Sequence, residues 1–458
     1  MGLTAAIAPM LRIVSVLWLA LGVPPLGAAP FELPPAQRGA NLADCRAKLD
    51  EQGGGWCEIR LLGAQPSISS VWPPDLDRRT RMIVGPRAVL QAWNGAAFDE
   101  EGLLLYFMGG GHADYGGNEV YEFDLKTGRW ARLTDPSPLS FLYRWREKTQ
   151  TEAARYCWAP DMRRVPAAAH TYDGLQFSKK TRTIFLVMMR AANGSCFDDR
   201  RGEYEGDPRI LFGRDRGAGI FEFNPARRET CNGLAPLTWR RLVLPRGLRL
   251  SYPRSLELPD GAMMVGGRTT LYPFDPSSGA VGKRLWREAD FGDGVAEYHP
   301  LGLVLSLHRK ALLLRSLQTG VLERIAAPGL HGKSLAVDES GVVFSWDGKH
   351  RVLTIDPRRP ERTWRLYDWS GAGPPSGDRR VYSKWQYIAA DGVFVGLSDH
   401  TTGVWVYKHP AAMPGVVLAK TDPQRLIREA KPGAVVTIPP GLYGQGLSPT
   451  APLDGSKG

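Results

Sequence analysis

A single strand-and-turn motif recurs along the 458-residue chain and limits the folds that the chain can adopt. Its fullest copy begins with an apolar run at residues 103–108, continues through three glycines to an alternating segment that ends at Asp124, and closes with Trp130. Short β-prone runs bounded by glycine and aspartate predict strands joined by tight turns. The motif therefore predicts a small antiparallel sheet, and its recurrence predicts a chain of several such sheets.

Further strand sets follow, and they differ in how completely they keep this order. The third set runs from Met263 through Asp275 to Trp286, whereas the fourth, from LVLSLH to VLERI, has lost the double glycine and the tryptophan. Counting the sets predicts six sheets. A seventh sheet within one of the long insertions is the alternative, because the sets are placed by pattern alone.

The last set lacks a tryptophan-led outer strand, while residues 56–61 near the start of the chain, WCEIRL, form such a strand without an evident partner. Pairing the two would close a ring of sheets. Closure removes open sheet edges, which otherwise invite aggregation. We therefore expect the N-terminal strand to pair with residues 404–407.

Residues 109–130, GGGHADYGGNEVYEFDLKTGRW, resemble a kelch repeat of the galactose-oxidase type, which forms one four-stranded blade of a β-propeller. The resemblance covers most of residues 90–410 and implies an all-β fold, namely a single kelch-like β-propeller with six blades or seven. It does not extend to copper oxidase chemistry, because no cysteine falls at the corners and strand starts near the axis. Propellers host many activities, so the fold by itself implies no function.

The first residues of the chain have the pattern of a targeting segment. Arg12 precedes an apolar stretch at residues 13–21, and small residues follow at 27–29, which predicts a secretory signal cleaved near Ala29. An uncleaved anchor is the alternative, although the stretch is short for a membrane span. The predicted organisation is a signal peptide at 1–29, an N-terminal extension with the closing strand at 30–90, the propeller at 91–410 and a C-terminal tail at 411–458.

The C-terminal tail contains the segment KPGAVVTIPPGLYGQG, which follows a short predicted helix. The segment is similar to the cap and first coil of a pectate-lyase-like β-helix. A solenoid needs several stacked coils to bury its core. The resemblance therefore implies only a truncated β-helix cap in the tail.

The five cysteines and the predicted signal favour an exported protein, secreted or periplasmic, in which disulfide bonds persist. Cys45 and Cys57 flank a short polar segment and could close a local loop. Among the other three, Cys157 with Cys196 is the favoured pair, which would leave Cys231 as a free thiol. No CxxC or HxxxH pair occurs, and neither a metal nor another cofactor is expected.

The formal net charge of +11 favours an anionic partner. For an exported chain we expect an acidic polysaccharide or an envelope surface rather than nucleic acid, and no stable insertion into a membrane. A protein partner on the propeller face is a further possibility. The alternative is a generally basic surface without a specialised role.

In a propeller, the start of each innermost strand and the corner between the second and third strands lie on one face, near the axis. Aligning the repeats places most histidines of the chain on that face, together with several arginines. Each of these residues alone has a structural explanation, such as capping a corner. Together they would focus an electric field on an anion. The predicted substrate-binding residues are His112, Asp114, Tyr115, Asn118, Arg190, Arg254 and His299.

Three residues on this face, His170, Tyr252 and Arg268, resemble in type and position the histidine, tyrosine and arginine of propeller-type ulvan lyases. The resemblance implies that the three are catalytic and cleave a uronate-containing polysaccharide by β-elimination. That reaction needs a base for the proton beside the carboxylate, a cation for the enolate and an acid for the leaving oxygen. Tyr252 and His170 would supply base and acid, and Arg268 the cation. The alternative is a non-catalytic kelch-like module that binds a glycan or a protein.

Overall fold

The computed structural model describes most of the chain between residues 34 and 417. The described residues are 34–61, 67–73, 86–91, 93–110, 117–137, 141–145, 155–159, 164–188, 219–245, 247–285, 293–308, 311–328, 334–369, 371–375, 377, 380–410 and 416–417. Among them strands predominate and helices are few and short. No helix in this part of the chain is long and apolar enough to cross a membrane.

The described chain begins with two strands that flank a helix. These elements are β1 (Gln37–Gly39), α1 (Leu42–Gln52) and β2 (Gly55–Ile59), and a second helix, α2 (Pro86–Gln91), follows. Asn41 caps the N-terminus of α1. Its side-chain oxygen accepts a hydrogen bond from the Asp44 amide and so satisfies one N–H group of the first turn. Short 3-10 helices span Ile68–Val71, His299–Leu301 and Tyr382–Lys384.

In the described residues, six sheets of four or five strands then follow along the chain, and we call each of them a blade. Blade 1 contains β3 (Ala97–Asp99), β4 (Leu104–Phe107), β5 (Tyr121–Asp124) and β6 (Arg129–Arg132). A separate hairpin is formed by β7 (Phe141–Trp145) and β8 (Arg155–Ala159). Blade 2 contains β9 (Leu175–Ser178), β10 (Thr183–Met188), β11 (Gly219–Phe223) and β12 (Trp239–Arg241). Blade 3 contains β13 (Arg254–Glu257), β14 (Met263–Gly267), β15 (Thr270–Asp275) and β16 (Ala280–Val281).

The remaining three blades have the same order from the innermost strand outward. Blade 4 contains β17 (Asp293–Tyr298), β18 (Leu303–His308), β19 (Ala311–Ser316) and β20 (Leu322–Ala326). Blade 5 contains β21 (Ala336–Val337), β22 (Val343–Trp346), β23 (Arg351–Ile355) and β24 (Arg365–Asp368). Blade 6 contains β25 (Trp385–Ile388), β26 (Val393–Gly396) and β27 (Val404–Lys408). A last strand, β28 (Val416–Val417), pairs with the outer edge of β24.

Neighbouring blades pack face to face, which buries the central strands on both sides. All six residues of β10 are buried, whereas the outer strand β20 has one buried residue, Ile325. Tyr106 of blade 1 stacks on Phe177 of blade 2 with 6.2 Å between ring centroids, and Phe185 of blade 2 contacts Phe274 of blade 3 at 5.2 Å. Burial of apolar surface between blades is therefore the main stabilising contribution to the ring.

The innermost strands contact one another in chain order from β3 to β25, so the blades surround a common axis. The ring closes between blades 6 and 1. There the Ser383 hydroxyl accepts a hydrogen bond from the Ala96 amide at 3.0 Å and donates one to the Ala96 carbonyl at 2.8 Å. The predicted all-β propeller with six blades is confirmed.

The N-terminal strand completes blade 6, as the sequence predicted. β2 pairs antiparallel with β27, so that Trp56 lies opposite Tyr407, and β1 extends the sheet in parallel to β2. Trp56 is fully buried and contacts Trp346 of blade 5 and Trp385 of blade 6. Strands from the two ends of the propeller therefore share one sheet and one apolar core.

A disulfide bond joins Cys45 of α1 to Cys57 of β2, which confirms the expected local loop. Helix α1 is also tied to blade 1, because the Leu42 amide donates a hydrogen bond of 2.9 Å to the Leu125 carbonyl. Cys231 is a free thiol, as expected. The favoured Cys157 pairing involves a cysteine at position 196, which lies outside the described residues.

Blade 4 contains a strand that the sequence motif did not predict. The three predicted strands begin at LVLSLH, which is β18, but β17 precedes it as the innermost strand. The β17 segment, DGVAEY, has little β-propensity and carries an irregular register between Asp293 and Val295. Pairing with β18 holds this segment extended, and such pairing cannot be derived from a local pattern.

A histidine that follows the last strand of blade 6 should make the free energy of unfolding depend on pH. His409 follows β27 and packs against Tyr367 at 4.6 Å and Phe344 at 5.1 Å between ring centroids. Its Nδ1 lies 3.0 Å from the Tyr407 hydroxyl, within hydrogen-bond distance. Burial lowers the pKa of His409 from 6.5 to about 4.

Because the folded state disfavours protonated His409, the unfolded state binds this proton more readily. We expect the stabilisation to be complete above about pH 6.5 and to be lost as the pH falls towards 4. The free energy of unfolding, measured with denaturant from pH 7 to pH 4, should fall more for the wild type than for His409→Gln. His350→Gln, which changes a half-buried histidine of blade 5, is the control. Equal pH dependence in wild type and His409→Gln would contradict the prediction.

Candidate functional site at the mouth of the propeller

One face of the ring collects the starts of the innermost strands. In each blade the innermost strand runs away from this face and the second strand returns to it, because the two are antiparallel. The corner between the second and third strands therefore lies on the same face. We call this face, near the axis, the mouth.

Four aromatic residues at the mouth have a left-handed backbone. The φ angles are 59° at Trp93, 47° at Tyr172, 55° at Tyr252 and 52° at Tyr382. These residues lie just before the innermost strands β3, β9, β13 and β25. The left-handed conformation costs a residue with a side chain about 1–2 kcal/mol, whereas glycine adopts it freely. Strain repeated at equivalent positions points to a role for the aromatic rings.

The four rings and His170 form one contact network, which we call the aromatic cluster. Trp93 lies 4.9 Å from His170 and Tyr172 lies 5.4 Å from Tyr252 and 5.5 Å from Tyr382, measured between ring centroids. Nδ1 of His170 lies 3.2 Å from the Tyr172 hydroxyl. The exposed fraction is 42% for Tyr252, but only 6% for His170 and 4% for Tyr172. Of these three residues, Tyr252 therefore has the largest exposed fraction.

Arginine guanidinium groups lie over three of these rings. Cζ of Arg380 is 4.0 Å from the ring centroid of Trp93, and Cζ of Arg268 is 5.7 Å from that of Tyr252. The third guanidinium, of Arg254, is 5.6 Å from the ring of Tyr172. Each such cation–π contact contributes roughly 0.5–2 kcal/mol and restricts the orientation of the guanidinium plane.

Among the described residues, two cations are buried beneath the mouth. Arg254 is fully buried, and its Nε lies 3.5 Å from a carboxylate oxygen of Asp173, which also accepts a hydrogen bond of 3.1 Å from the Gly294 amide. The ammonium group of Lys384 donates to the carbonyls of Asn94 and Arg380. Buried charges are tolerated only with such partners. Arg254 therefore belongs to the floor of the mouth, and we assign it no direct contact with a ligand.

The corners of blades 5 and 6 add further titratable groups. Nε2 of His350 lies 3.6 Å from Asp368, and Nδ1 of His400 lies 3.4 Å from Asp399. Burial lowers the pKa of His400, and the neighbouring Asp399 carboxylate opposes this effect. The net effect favours the neutral imidazole of His400.

The structure brings the three predicted catalytic residues into one set of contacts. His170 contacts Tyr172, Tyr172 contacts Tyr252, and the guanidinium of Arg268 lies over Tyr252. The predicted substrate-binding residues are distributed differently. Asn118 is nearly buried and is hydrogen-bonded to Ser137 and to the Pro166 carbonyl.

His299 does not lie at the start of an innermost strand, where the alignment of the repeats placed it. It follows β17, at the end of that strand farthest from the mouth. The difference arises because β17 itself was not predicted, which shifted the alignment of blade 4 by one strand. His112, Asp114, Tyr115 and Arg190 lie outside the described residues.

The alignment of the repeats places Trp93 and Tyr172 on this face, but neither they nor Tyr382 and Arg380 are among the predicted catalytic and substrate-binding residues. One pattern in the sequence could have singled out Trp93, Tyr172 and Tyr382 together with Tyr252. In each case an aromatic residue precedes a glycine or a cation by two positions, in WNG, YDG, YSK and YPR. The position of Arg380 over Trp93 has no such signal, because it depends on the contact between blades 6 and 1. Among the described residues, no group of three or more histidine, cysteine, aspartate or glutamate side chains could hold a metal ion.

The ring and its mouth define the protein as a six-bladed β-propeller. No protein-family model matches the chain, and no curated protein matches it. Solved structures similar to it include a virginiamycin B lyase from Staphylococcus aureus, with 8% identity and a TM-score of 0.39 over 72% of this chain and 98% of that one. A gluconolactonase from Xanthomonas campestris has 15% identity and a TM-score of 0.40, over 77% and 99%.

YCF48, in a structure with a bound D1 peptide, is also similar, with 11% identity and a TM-score of 0.38 over 77% of this chain and 98% of that one. At these TM-scores and identities, the similarities carry no argument about function. The resemblances to kelch repeats and to ulvan lyases therefore remain predictions from the sequence.

The left-handed backbone at Tyr252 leads to a stability prediction. Alanine normally stabilises a strand or helix relative to glycine, but at a φ of 55° the order should reverse. We expect Tyr252→Gly to be more stable than Tyr252→Ala by roughly 1 kcal/mol in denaturant unfolding. At Tyr387, in the extended strand β25, alanine should be the more stable replacement. The same order at both positions would show that Tyr252 is not strained.

Proposed function

We propose that the mouth binds an acidic, uronate-containing polysaccharide and cleaves it by β-elimination. The observation that carries the proposal is the pair of Tyr252 and Arg268, an exposed phenol with a guanidinium over its ring. The floor beneath them holds two buried cations, Arg254 and Lys384. An aromatic ring beside a guanidinium suits a ligand that is both a sugar and an acid.

The physical basis for binding has two parts. A phenol ring presents an apolar face for the C–H groups of a sugar and a polar edge for its hydroxyls. A guanidinium binds a carboxylate through two parallel hydrogen bonds, which are stronger than neutral ones. The net charge of +11 would also raise the rate at which an anionic polymer reaches the surface.

In the proposed elimination, the phenolate form of Tyr252 takes the proton from the carbon beside the carboxylate. The carbon–oxygen bond to the next sugar breaks and a carbon–carbon double bond forms. The Tyr252 phenol then returns its proton to the leaving oxygen, so no further reactant is consumed. Arg268 neutralises the carboxylate as the enolate forms. A cation already held in place for this developing charge lowers the activation barrier of the elimination.

The buried position of His170 assigns it a supporting role in this proposal. Its Nδ1 shares a hydrogen bond with the Tyr172 hydroxyl, and Tyr172 packs edge-on against Tyr252. We therefore treat His170 as a positioning residue that acts through Tyr172. The Cys45–Cys57 disulfide supports an exported location, secreted or periplasmic, because such bonds persist in oxidising compartments.

Binding is tested by isothermal titration of the wild type with ulvan, alginate, pectate and glycosaminoglycan fragments. Arg268→Gln should lower the affinity for the ligand that binds by at least about tenfold, because hydrogen bonds to charged groups contribute about 1.5–3 kcal/mol. Arg129→Gln removes the same charge from the exposed part of the outer strand β6 and should leave the affinity unchanged. Equal losses in the two variants would indicate non-specific attraction to a basic protein.

Cleavage is tested by ultraviolet absorbance, because elimination creates a double bond conjugated to the carboxylate and hydrolysis does not. Tyr252→Phe should keep the affinity and lose turnover, since it retains the ring and removes the proton carrier. Arg268→Gln should slow turnover by about 100- to 1,000-fold, by analogy with the loss of an oxyanion donor. Tyr387→Phe, in strand β25, is the control for the loss of a hydroxyl.

A second candidate function is a binding module without catalysis. It is favoured by the burial of His170, which leaves Tyr252 as the exposed proton carrier among the three predicted catalytic residues. If a polysaccharide of the panel binds without any rise in absorbance, and Tyr252→Phe behaves as the wild type, this second function replaces the first.

A further inference from the structure

We propose that the mouth contains a second anion-binding station, formed by Trp93 and Arg380, and that its ligand is a chain with at least two acidic sugar units. The inference rests on the proposed function, because it assigns a length to the same ligand. Trp93 and Arg380 have the same arrangement as Tyr252 and Arg268, which we call the Tyr252 station. This shared geometry carries the inference.

The Trp93 station is built like the Tyr252 station. Each ring belongs to a left-handed residue just before an innermost strand, β3 for Trp93 and β13 for Tyr252. Each is partly accessible to solvent, and each has an arginine over its ring, at 4.0 Å for Arg380 and 5.7 Å for Arg268. Two strained positions with the same construction are more easily explained by a shared ligand chemistry than by packing alone.

The Trp93 station is held firmly by its surroundings. The Trp93 carbonyl accepts a hydrogen bond of 2.8 Å from the Tyr172 amide, and the Trp93 ring contacts His170 at 4.9 Å. The backbone of Arg380 is held as well, because its carbonyl accepts a hydrogen bond of 3.2 Å from Lys384. Such preorganisation lowers the entropy cost of holding a guanidinium for a carboxylate.

A path of ring contacts through two buried residues connects the stations. The contacts run from Trp93 to His170, then to Tyr172 and finally to Tyr252. In the proposed arrangement each station holds one acidic sugar unit, and a chain with two such units occupies both. Linking two acidic units in one chain raises the affinity through effective concentration, often by a factor of about 100 or more.

The test compares ligand lengths by isothermal titration. The probes are the monomers and hexamers of galacturonate and mannuronate, together with glucuronate and a hyaluronan hexasaccharide. We expect a hexamer to bind the wild type at least about tenfold more tightly than its monomer. Arg380→Gln and Trp93→Ala should each remove most of this difference. Arg268→Gln should weaken both lengths.

Several controls keep the outcomes distinct. Arg129→Gln controls for the loss of one charge, and Trp93→Phe should restore the hexamer affinity in part because it keeps an aromatic ring. Hexamer binding that depends on Arg268 but is unchanged in Arg380→Gln overturns the second station and leaves the proposed function intact. If the wild type binds none of the hexamers and none of the ulvan, alginate, pectate and glycosaminoglycan fragments, the proposed function itself fails, and the second station fails with it.

Discussion

The pairing of β2 with β27 is the interaction on which the rest of the structure depends. It joins the two ends of the propeller in blade 6, and the Cys45–Cys57 disulfide fastens β2 to α1 on the same side. Blade 6 in turn meets blade 1 through Ser383 and Ala96. Because Arg380 and Tyr382 lie just before β25 of this blade, closure of the ring also sets their positions against Trp93 and Tyr172.

Among the described residues, the mouth combines three features. Its aromatic residues have strained backbones, its floor buries two cations, and one of its tyrosines is left 42% exposed. Strained backbones and buried charges are retained in proteins where the surroundings compensate them and the geometry has a use. These features meet around Tyr172, which contacts Tyr252, Tyr382 and the guanidinium of Arg254. The proposed site for an acidic sugar would give all three features a use.

The sequence predicted the parts of the fold that local patterns determine. Six sets of strands, the pairing of Trp56 with residues near Tyr407, and the loop closed by Cys45 and Cys57 all depend on short segments with strong signals. β17 was missed because its residues have little β-propensity and adopt a strand only through pairing with β18. The error placed His299 at the wrong end of its blade.

The candidate site was predictable only in part, for a similar reason. Aligned repeats placed His170, Tyr252 and Arg268 near one another, because equivalent positions of a propeller share a face. They did not show that His170 and Arg254 are buried, since burial depends on how neighbouring blades pack. The left-handed backbone of the aromatic residues was also hidden, because no local propensity favours it outside glycine and asparagine.

A crystal structure with a bound uronate hexamer tests the central claim most directly. The account predicts a sugar ring against Tyr252, with its carboxylate within hydrogen-bond distance of the Arg268 guanidinium, and a second carboxylate of the same chain at Arg380. A hexamer bound on the opposite face of the ring, or bound at the mouth without contact to Arg268, would contradict the account.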